Sequence, residues 1–506
     1  MATANPIARA FRWMSSRLGF ARAGWDMTRT TIENKRHWAD SDPMSGRAQT
    51  VKPTRKIARE RSRLESQNNS WYAGMLRTAV NHIVGCGPRL QVQTKDAAFN
   101  SRIEAAWRDW SNAVGLVDKL RLCVETYWRD GEVFGMRAIR PSLLPISLDI
   151  RIYEGDQVAQ PYWHVLDPTI EDGKRVDNLG NPVEYWIYDN HPGDLNIGHV
   201  NILRGNWYEA DRVFHLYRQE RPGQLRGMPR CAPAIDYLAH MRRFSKATLA
   251  AAEKCALWGV FVSTNSAAVT PAAMPSDFMT LEWERDSLNF LPDGWTPNML
   301  DPKHPATTDE MFQRMGLMYF ARCAGMPYSL ASGTSKDSNF ASAKMDIKNT
   351  WEPEVLGEQE RVARIILAPI FRWFLEDCVF VEGLLDGGPT IAEIDYQFVW
   401  PPLPQSDEKV VAEACSERMS KGQSTLLEEW SRAGKDFDLA MAKEAALRGI
   451  TVKQAIVEAF ARAYASQKAN SSPFNGSNGP ENSQNSSETQ PENQSHDALE
   501  ETSANV

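Results

Sequence analysis

The sequence predicts a mainly helical α+β fold, and three features point to it. Several stretches repeat apolar residues at the spacing of one helix face, as in Met75, Leu76, Ala79, Val80 and Ile83. One block, residues 132–217, instead carries β-branched and aromatic runs bounded by Gly, Pro, Asn and Asp. Beyond residue 404 the chain returns to short helical segments with clear start and stop signals. With 506 residues, 42% of them hydrophobic and 24% charged, it is long enough to bury a sizeable core. No apolar run reaches the roughly 18 residues that a membrane span needs.

Taken in order, residues 20–70 are polar and Arg-rich, and they read as an extended arm that needs partners to be ordered. A helix starts at Trp71 and stops at Gly85 and Gly87. Two more follow over 99–130, one with Ile103, Trp107 and Trp110, the next with Leu120, Cys123, Val124 and Tyr127. Asp130-Gly131 marks a turn. Strands are expected at 133–139, 148–153, 183–188 and 213–217, with a turn at 178–182. Residues 228–258 read as a long Ala-rich helix that packs in a core or against copies of itself. Residues 259–306 are Pro-rich and irregular. A helix over 308–324 places Met311, Met315, Met318 and Arg322 on one side, and Gly325 and Pro327 stop it.

Residues 329–339 form a small-residue polar loop. A long helix is expected from about Phe340 to Val381, bent or broken by Pro353 and Pro369. A strand at 394–400 precedes short helices, with Ser406 and Ser424 as caps and Gly422, Gly434 and Gly449 as stops. Thr451 with Gln454 fits a capping box. From Ser471 the composition predicts disorder.

Charge is unevenly placed. Residues 1–63 hold 14 Lys or Arg against 5 acids, a net of +9, and residues 470–506 hold 6 acids and no base, a net of −6. The whole chain stands at −7, which argues against a strong grip on phosphates. The seven cysteines lie more than four residues apart, unlike a zinc site or a disulfide framework, so they read as reduced and mostly buried. Known catalytic patterns are missing: no Walker phosphate loop, no H-E-x-x-H, no G-x-S-x-G. Gly85-Cys86-Gly87 starts like a dinucleotide fingerprint, but position 90 is Leu and the segment follows a helix. His215, inside a strand, reads as a hydrogen-bonded core or interface histidine. The sequence is therefore read as non-enzymatic, with no cofactor and no metal. Two rival readings stand beside this one. A motor ATPase or nuclease would need the missing motifs. A mitochondrial scaffold is suggested only by Met1 to Phe20, whose Arg residues and apolar face resemble a transit peptide.

Several segments together resemble the lambda-type family of phage portal proteins. They are Asn81 to Gly85 with Gly87, Asp130 to Phe134, and Asp177 to Gly180 followed by Val183 to Ile187. The most specific are Arg212 to Leu216 with Arg221-Pro222-Gly223-Gln224-Leu225-Arg226-Gly227-Met228-Pro229, and Gly325-Met326-Pro327-Tyr328 with Ser338-Asn339-Phe340-Ala341-Ser342-Ala343-Lys344. Phe340-Ala341 stands where the family pattern has Tyr-Ser, which removes two hydroxyls from the loop's edge. The resemblance covers roughly residues 20–465.

It implies an elongated portal-type subunit with a β-containing wing, a two-helix stem, a clip, a tunnel loop and a C-terminal helical crown. In that scheme residues 1–70 are a basic arm and 71–227 the wing. Residues 228–258 and 307–325 are stem helices flanking a clip at 259–306. Residues 326–340 are the tunnel loop, 341–403 the long bent helix and return strand, 404–468 the crown, and 469–506 a disordered tail. The implied assembly is a homo-dodecamer at one capsid vertex of the virion, built in the bacterial cytoplasm. Implied partners are non-specifically held double-stranded DNA, the terminase large subunit, the major capsid or scaffold protein and a head–tail connector, with no membrane. Ser332, Thr334, Ser335, Lys336, Ser338 and Asn339 are the implied DNA-facing residues of the loop.

Overall fold

The computed structural model describes residues 43–160, 167, 169–194, 204–256, 260–264, 295–299, 307–334, 339–403, 408–435 and 437–470. The chain divides into two units, Met1–Pro404 and Gln405–Val506. The architecture is mainly helical, with four small antiparallel sheets among the described residues. No described helix is long and apolar enough to cross a membrane.

The first unit opens with α1 (Gly46–Gln49) and α2 (Lys52–Asn68). The extended reading of residues 20–70 is therefore wrong for 52–68. The reason is the nature of the buried face: α2 turns Arg55, Arg59, Ser62 and Glu65 inward, while Ile57 and Leu64 stay exposed. Each inward group has a partner elsewhere. Arg55 reaches Glu132 at 2.9 Å, the Ser62 hydroxyl donates to Arg129 O at 2.6 Å, and Glu65 pairs with Arg242 at 2.7 Å. A helix held by ion pairs leaves no apolar stripe in the sequence.

Asn69 caps α3 (Ser70–Ile83) by accepting from the Trp71 amide at 3.1 Å. Helices α4 (Ala97–Val114) and α5 (Leu116–Asp130) meet at Gly115, which has φ +64°. Strand β1 (Arg89–Val92) pairs with the distant β11 (Tyr396–Val399), so the end of the first unit returns to its start. The core is aromatic here: Trp107 packs edge-on against Phe371 and Phe374, with ring centroids 5.4 and 5.1 Å apart.

A three-stranded sheet orders β3 (Leu148–Glu154), β2 (Glu132–Ile139) and β8 (Val213–Tyr217), and its register sets Phe134 opposite His215. A four-stranded sheet runs β4 (Ile170–Glu171), β5 (Lys174–Val176), β6 (Pro182–Tyr188), β7 (Gly205–Glu209). The turn between β5 and β6 forms as expected: the Asp177 carboxylate accepts from the amides of Leu179 and Asn181 at 2.9 and 2.8 Å.

The long helix expected from residue 228 begins later. Helix α6 is Ile235–Ala256, preceded by a 3₁₀ turn at Ala232–Ala234 that carries Pro233. Helix α7 is Thr307–Ala324. Tyr237 lies 5.4 Å from Tyr319 and Phe244 lies 4.6 Å from Phe312, which sets the two helices antiparallel. Gly316 lets them close up, because a Cβ there would meet the Met241 sulfur at 2.4 Å. Between them the irregular reading of 259–306 is corrected in part. Strand β9 (Val260–Thr264) pairs antiparallel with β10 (Trp295–Met299). Pro297 is tolerated because each strand of a two-stranded ladder is an edge.

After α8 (Tyr328–Ser332), residues 340–378 run as one helix: α9 (Phe340–Asp346), α10 (Glu352–Val362) and α11 (Ala368–Cys378) joined by two π turns, Ile347–Trp351 and Ala363–Leu367. Pro353 and Pro369 do not break it. A proline clashes with the carbonyl four residues back, here Asn349 and Ile365. Both lie in the π turns, where Glu352 and Ala368 donate five residues back, to Ile347 and Ala363.

The second unit holds α12 (Glu408–Ser420), α13 (Leu426–Arg432), α14 (Phe437–Arg448) and α15 (Val452–Asn470). Gly422, Gly434 and Gly449 end helices at φ +68°, +66° and +66°. Thr451 and Gln454 form the expected reciprocal cap. The cap of α13 is Thr425, not Ser424. Thr425 exchanges bonds with Glu428, while the Ser424 hydroxyl only supports the Glu428 carboxylate at 3.1 Å. Ser406 and the tail from Ser471 lie outside the described residues.

Candidate functional site

Two places gather the residues singled out in the sequence. The first is a buried charge cluster at the root of the three-stranded sheet. Glu132 opens β2 with no exposed side-chain surface, and six donors converge on it. Oε1 accepts from Arg55 at 2.9 Å, Arg59 at 3.4 Å and Arg226 Nη2 at 2.7 Å. Oε2 accepts from Arg226 Nε at 2.8 Å, His215 Nε2 at 3.2 Å and the Gly227 amide at 3.1 Å. Burial alone would raise the Glu132 pKa. The Arg226 and Arg55 charges, with the His215 hydrogen bond, hold it well below the usual carboxylate range instead.

Arg226 uses every donor it has. Beyond Glu132 it bonds the carbonyls of Val158 at 2.9 Å, Gly155 at 2.9 Å and Asp172 at 2.5 Å. The segment around it is shaped to deliver it. Gly223 turns the chain at φ +77°. The buried Gln224 accepts from the Glu220 amide at 2.9 Å and donates to Arg226 O at 2.8 Å. Gly227 lies against Gly131, where a Cβ would sit 2.0 Å from the Gly131 oxygen. Arg221, beside Pro222, donates to Met44 O at 3.1 Å and also to Gln49. The carbonyl of the buried Pro229 accepts from Ala232 at 3.0 Å and starts the turn into α6.

His215 is the core histidine that the sequence suggested. It is stacked between Phe134 at 4.0 Å and Tyr217 at 4.3 Å. Burial and the nearby Lys174 charge push its pKa well below the ordinary histidine value, so it is neutral. Its Nδ1 has no hydrogen-bond partner, and Nε2 carries the proton given to Glu132. Lys174 is also buried, donates to Leu225 O and lies 4.8 Å from the Tyr217 ring centre. Burial first, then Arg226, lowers its pKa well below the usual lysine range.

The second place is the segment after α7. Gly325 has φ +72°, and the Met326 amide donates to Ala321 O at 2.9 Å, a Schellman-type stop. Pro327 then caps α8, and Gly333 ends it at φ +65°. Ser332 is buried, and its hydroxyl is engaged by Ser329 O and the Thr334 amide within that turn. Thr334 and Asn339 are exposed, and Asn339 caps α9 by accepting from Ala341 at 3.4 Å. Ser342 is exposed on α9, and Phe340 is its first residue. Ser335, Lys336 and Ser338 lie outside the described residues. At the other end of the unit, Gly85 and Gly87 take φ +55° and +91°, and a Cβ on Gly87 would meet Val117 at 2.6 Å.

Arg55, Arg59 and Lys174 were not singled out in the sequence, and Glu132 stood there only within the Asp130 to Phe134 segment. The available signal was the 4, 3, 3 spacing of Arg55, Arg59, Ser62 and Glu65, a helix face made of polar groups. Among the described residues, Glu154, Asp156 and His191 converge with ligand atoms within 4.8 Å. Arg63 already bridges the two carboxylates at 2.8 and 2.9 Å. His191 Nδ1 accepts from the Gly193 amide at 3.0 Å, and Nε2 lies 3.2 Å from Glu154 without making a hydrogen bond. That geometry is an ion-paired knot, not an open metal site.

Neither place has the geometry of a reaction centre: one is a saturated structural hub, the other a loop between helices. A family model described as phage portal protein, lambda family, matches residues 34–353. The chain belongs to that family, whose members are structural, non-enzymatic components of the phage virion at its portal vertex. A curated relative, the probable portal protein of Halomonas phage phiHAP-1, is 23% identical over 423 residues, covering 75% of this chain and 77% of that protein. Among solved structures, the neck of an empty gene transfer agent particle is similar at 15% identity and TM-score 0.45, over 74% of this chain and 92% of that one. The virion of a native gene transfer agent particle is similar at 13% identity and TM-score 0.46, over 80% and 99%.

Proposed function

We propose that this chain forms a dodecameric ring at one capsid vertex, the channel through which double-stranded DNA is packaged and ejected. In this reading residues 71–227 are the wing, 228–258 and 307–325 the stem, 259–306 the clip, and 326–340 the tunnel loop. Residues 341–403 return to the wing, 404–468 are the crown, the chain ahead of the packed helix α2 is an arm and 469–506 a tail. The clip and its surroundings dock the terminase large subunit and later the head–tail connector. The basic arm meets the capsid or scaffold protein, or internal DNA.

One observation carries the reading. Helices α6 and α7 are antiparallel, joined through the β9–β10 ladder, and α7 ends in a sharp reversal that leads into the polar loop. Met311, Met315 and Met318, one face of α7, are 69%, 47% and 44% exposed, a face that a neighbouring stem would cover. A net charge of −7 also suits a passage that must surround DNA without braking it, since each phosphate held by Lys or Arg strengthens binding. Twelve copies of Lys336, if they face the channel, form a weak belt with no base readout.

The test is packaging in vitro. Proheads built with the chain, terminase and ATP should protect DNA from nuclease. Replacing residues 333–338 by a shorter Gly-Ser linker should leave rings intact and lose DNA retention. Undiminished retention would overturn the assignment of the loop. Failure of every chain-containing prohead to take up DNA would overturn the channel itself.

A further inference from the structure

We propose that Arg322 on α7 of one copy pairs with Asp236 on α6 of the neighbouring copy, an ion pair that sets the register between adjacent subunits. This rests on the ring reading and adds to it which two faces meet. Inside one chain, α6 and α7 are joined by Tyr237 and Phe244 against Tyr319 and Phe312. That pairing leaves one row of each helix uncovered. On α7 the row is Met311, Met315, Met318 and Arg322, spaced 4, 3, 4 and all exposed. On α6 it is Asp236, His240, Arg243 and Ala247, with the same spacing and all exposed.

A closed ring joins two different faces of one chain, so the α7 row meets something other than itself. Charge selects its partner. Arg322 is exposed, and its side chain makes no ion pair or hydrogen bond among the described residues. The Asp236 side chain is 89% exposed, and its one ion-pair partner among the described residues is His240 at 3.6 Å, an ionic contact only when the histidine is protonated. Each chain thus carries one cation and one anion with no firm partner of its own.

The two also stand at the same level. Tyr237 lies opposite Tyr319, and the helices are antiparallel. Asp236 is one residue and Arg322 three residues beyond that contact, in the same direction. At 1.5 Å per residue their levels differ by about 3 Å. In a ring whose axis runs along the stem, rotation keeps each residue at its level, so the neighbouring copy's Asp236 arrives beside Arg322. The flexible methionines fill against the rest of the α6 row and exclude water next to the pair. Arg243 guards the register. It lies seven residues, or two turns, along the row from Asp236, so a slip of two turns would set Arg322 against a like charge.

The test uses the purified full-length chain, with ring assembly followed by mass photometry over a range of concentrations. Both side chains are exposed, so each substituted chain should keep its fold. Arg322→Glu and Asp236→Arg, each alone, should raise the concentration needed for half-assembly by roughly tenfold or more, since like charges then face each other at every contact. Both substitutions in one chain should bring it back to within about threefold of the unsubstituted value. Mixing the two singly substituted chains should restore it as well, because every contact in an alternating ring then joins opposite charges. A pair made inside one chain would gain nothing from mixing. Equal assembly by all the chains, or single losses that neither the double substitution nor mixing repairs, would overturn the pair and leave the ring standing. An unsubstituted chain that stays monomeric would overturn the ring and the pair with it.

Discussion

Glu132→Gln is the sharpest probe of what holds the first unit together. Gln has the shape of Glu, so packing barely changes and the substitution isolates the charge. Each carboxylate oxygen accepts three donors, so whichever end the amide nitrogen takes, three donors face a donor. Arg55 and Arg226 are 2% exposed, and water cannot rescue them. Removing one partner from a buried ion pair costs about 3–5 kcal/mol. That is a large share of the roughly 5–15 kcal/mol that stabilises a typical domain. Hydrogen exchange in urea, read on peptides covering β2 and β8, should report a loss of that size. The matched control is Lys174→Met, which removes a buried cation and leaves the Glu132–Arg226 pair intact; its effect should stay within about 1 kcal/mol. A Glu132→Gln loss below about 1 kcal/mol, or one equal to that of the control, would refute the hub.

Four further outcomes follow from the same structure. His215 has a folded pKa below its unfolded value, so protons bind the unfolded chain preferentially. Stability should therefore decline as pH falls below about 6.5, and His215→Phe should abolish that part of the decline, measured by urea midpoints at several pH values. Glu132, with a depressed carboxylate, adds a second loss only below its ordinary value of 4.5, which Glu132→Gln should remove. Gly227→Ala, with its Cβ 2.0 Å from the Gly131 oxygen, should cost about 3 kcal/mol or more, while Gly223→Ala, strained at φ +77° but facing open space, should cost about 1–2 kcal/mol. Thr425→Ala should fray α13 by about 1 kcal/mol in amide exchange and Ser424→Ala by less, since only Thr425 completes the cap.

The sequence was most readable where one face of an element is apolar. Met75 to Ile83, the Trp107 helix and the β2 and β8 strands were all placed within a residue or two, because burial of apolar groups is what periodicity records. It was least readable where polar groups are buried. The face of α2 with Arg55 and Arg59 looks like a solvated helix or an arm until Glu132 is set beside it, and that pairing spans 77 positions. Pro353 and Pro369, expected to bend or break the helix, leave it unbroken for a related reason: a π turn absorbs the clash, and nothing in local sequence announces it. Arg226, Gly227 and Pro229 were found through family likeness, but their work is to saturate Glu132 and let two backbones touch. Of the loop residues, Ser332 turned out to be engaged in its own turn, a fact set by Gly333 and the short α8 rather than by residue type.

The central claim is that copies of this chain close into a ring with an open bore. Single-particle electron microscopy of the purified full-length protein tests it most directly. The expected image is a dodecamer around a central channel, lost when Met315→Glu and Met318→Glu place charges on the exposed face of α7. A monodisperse monomer at high concentration, or rings that form equally well with both substitutions, would contradict the account.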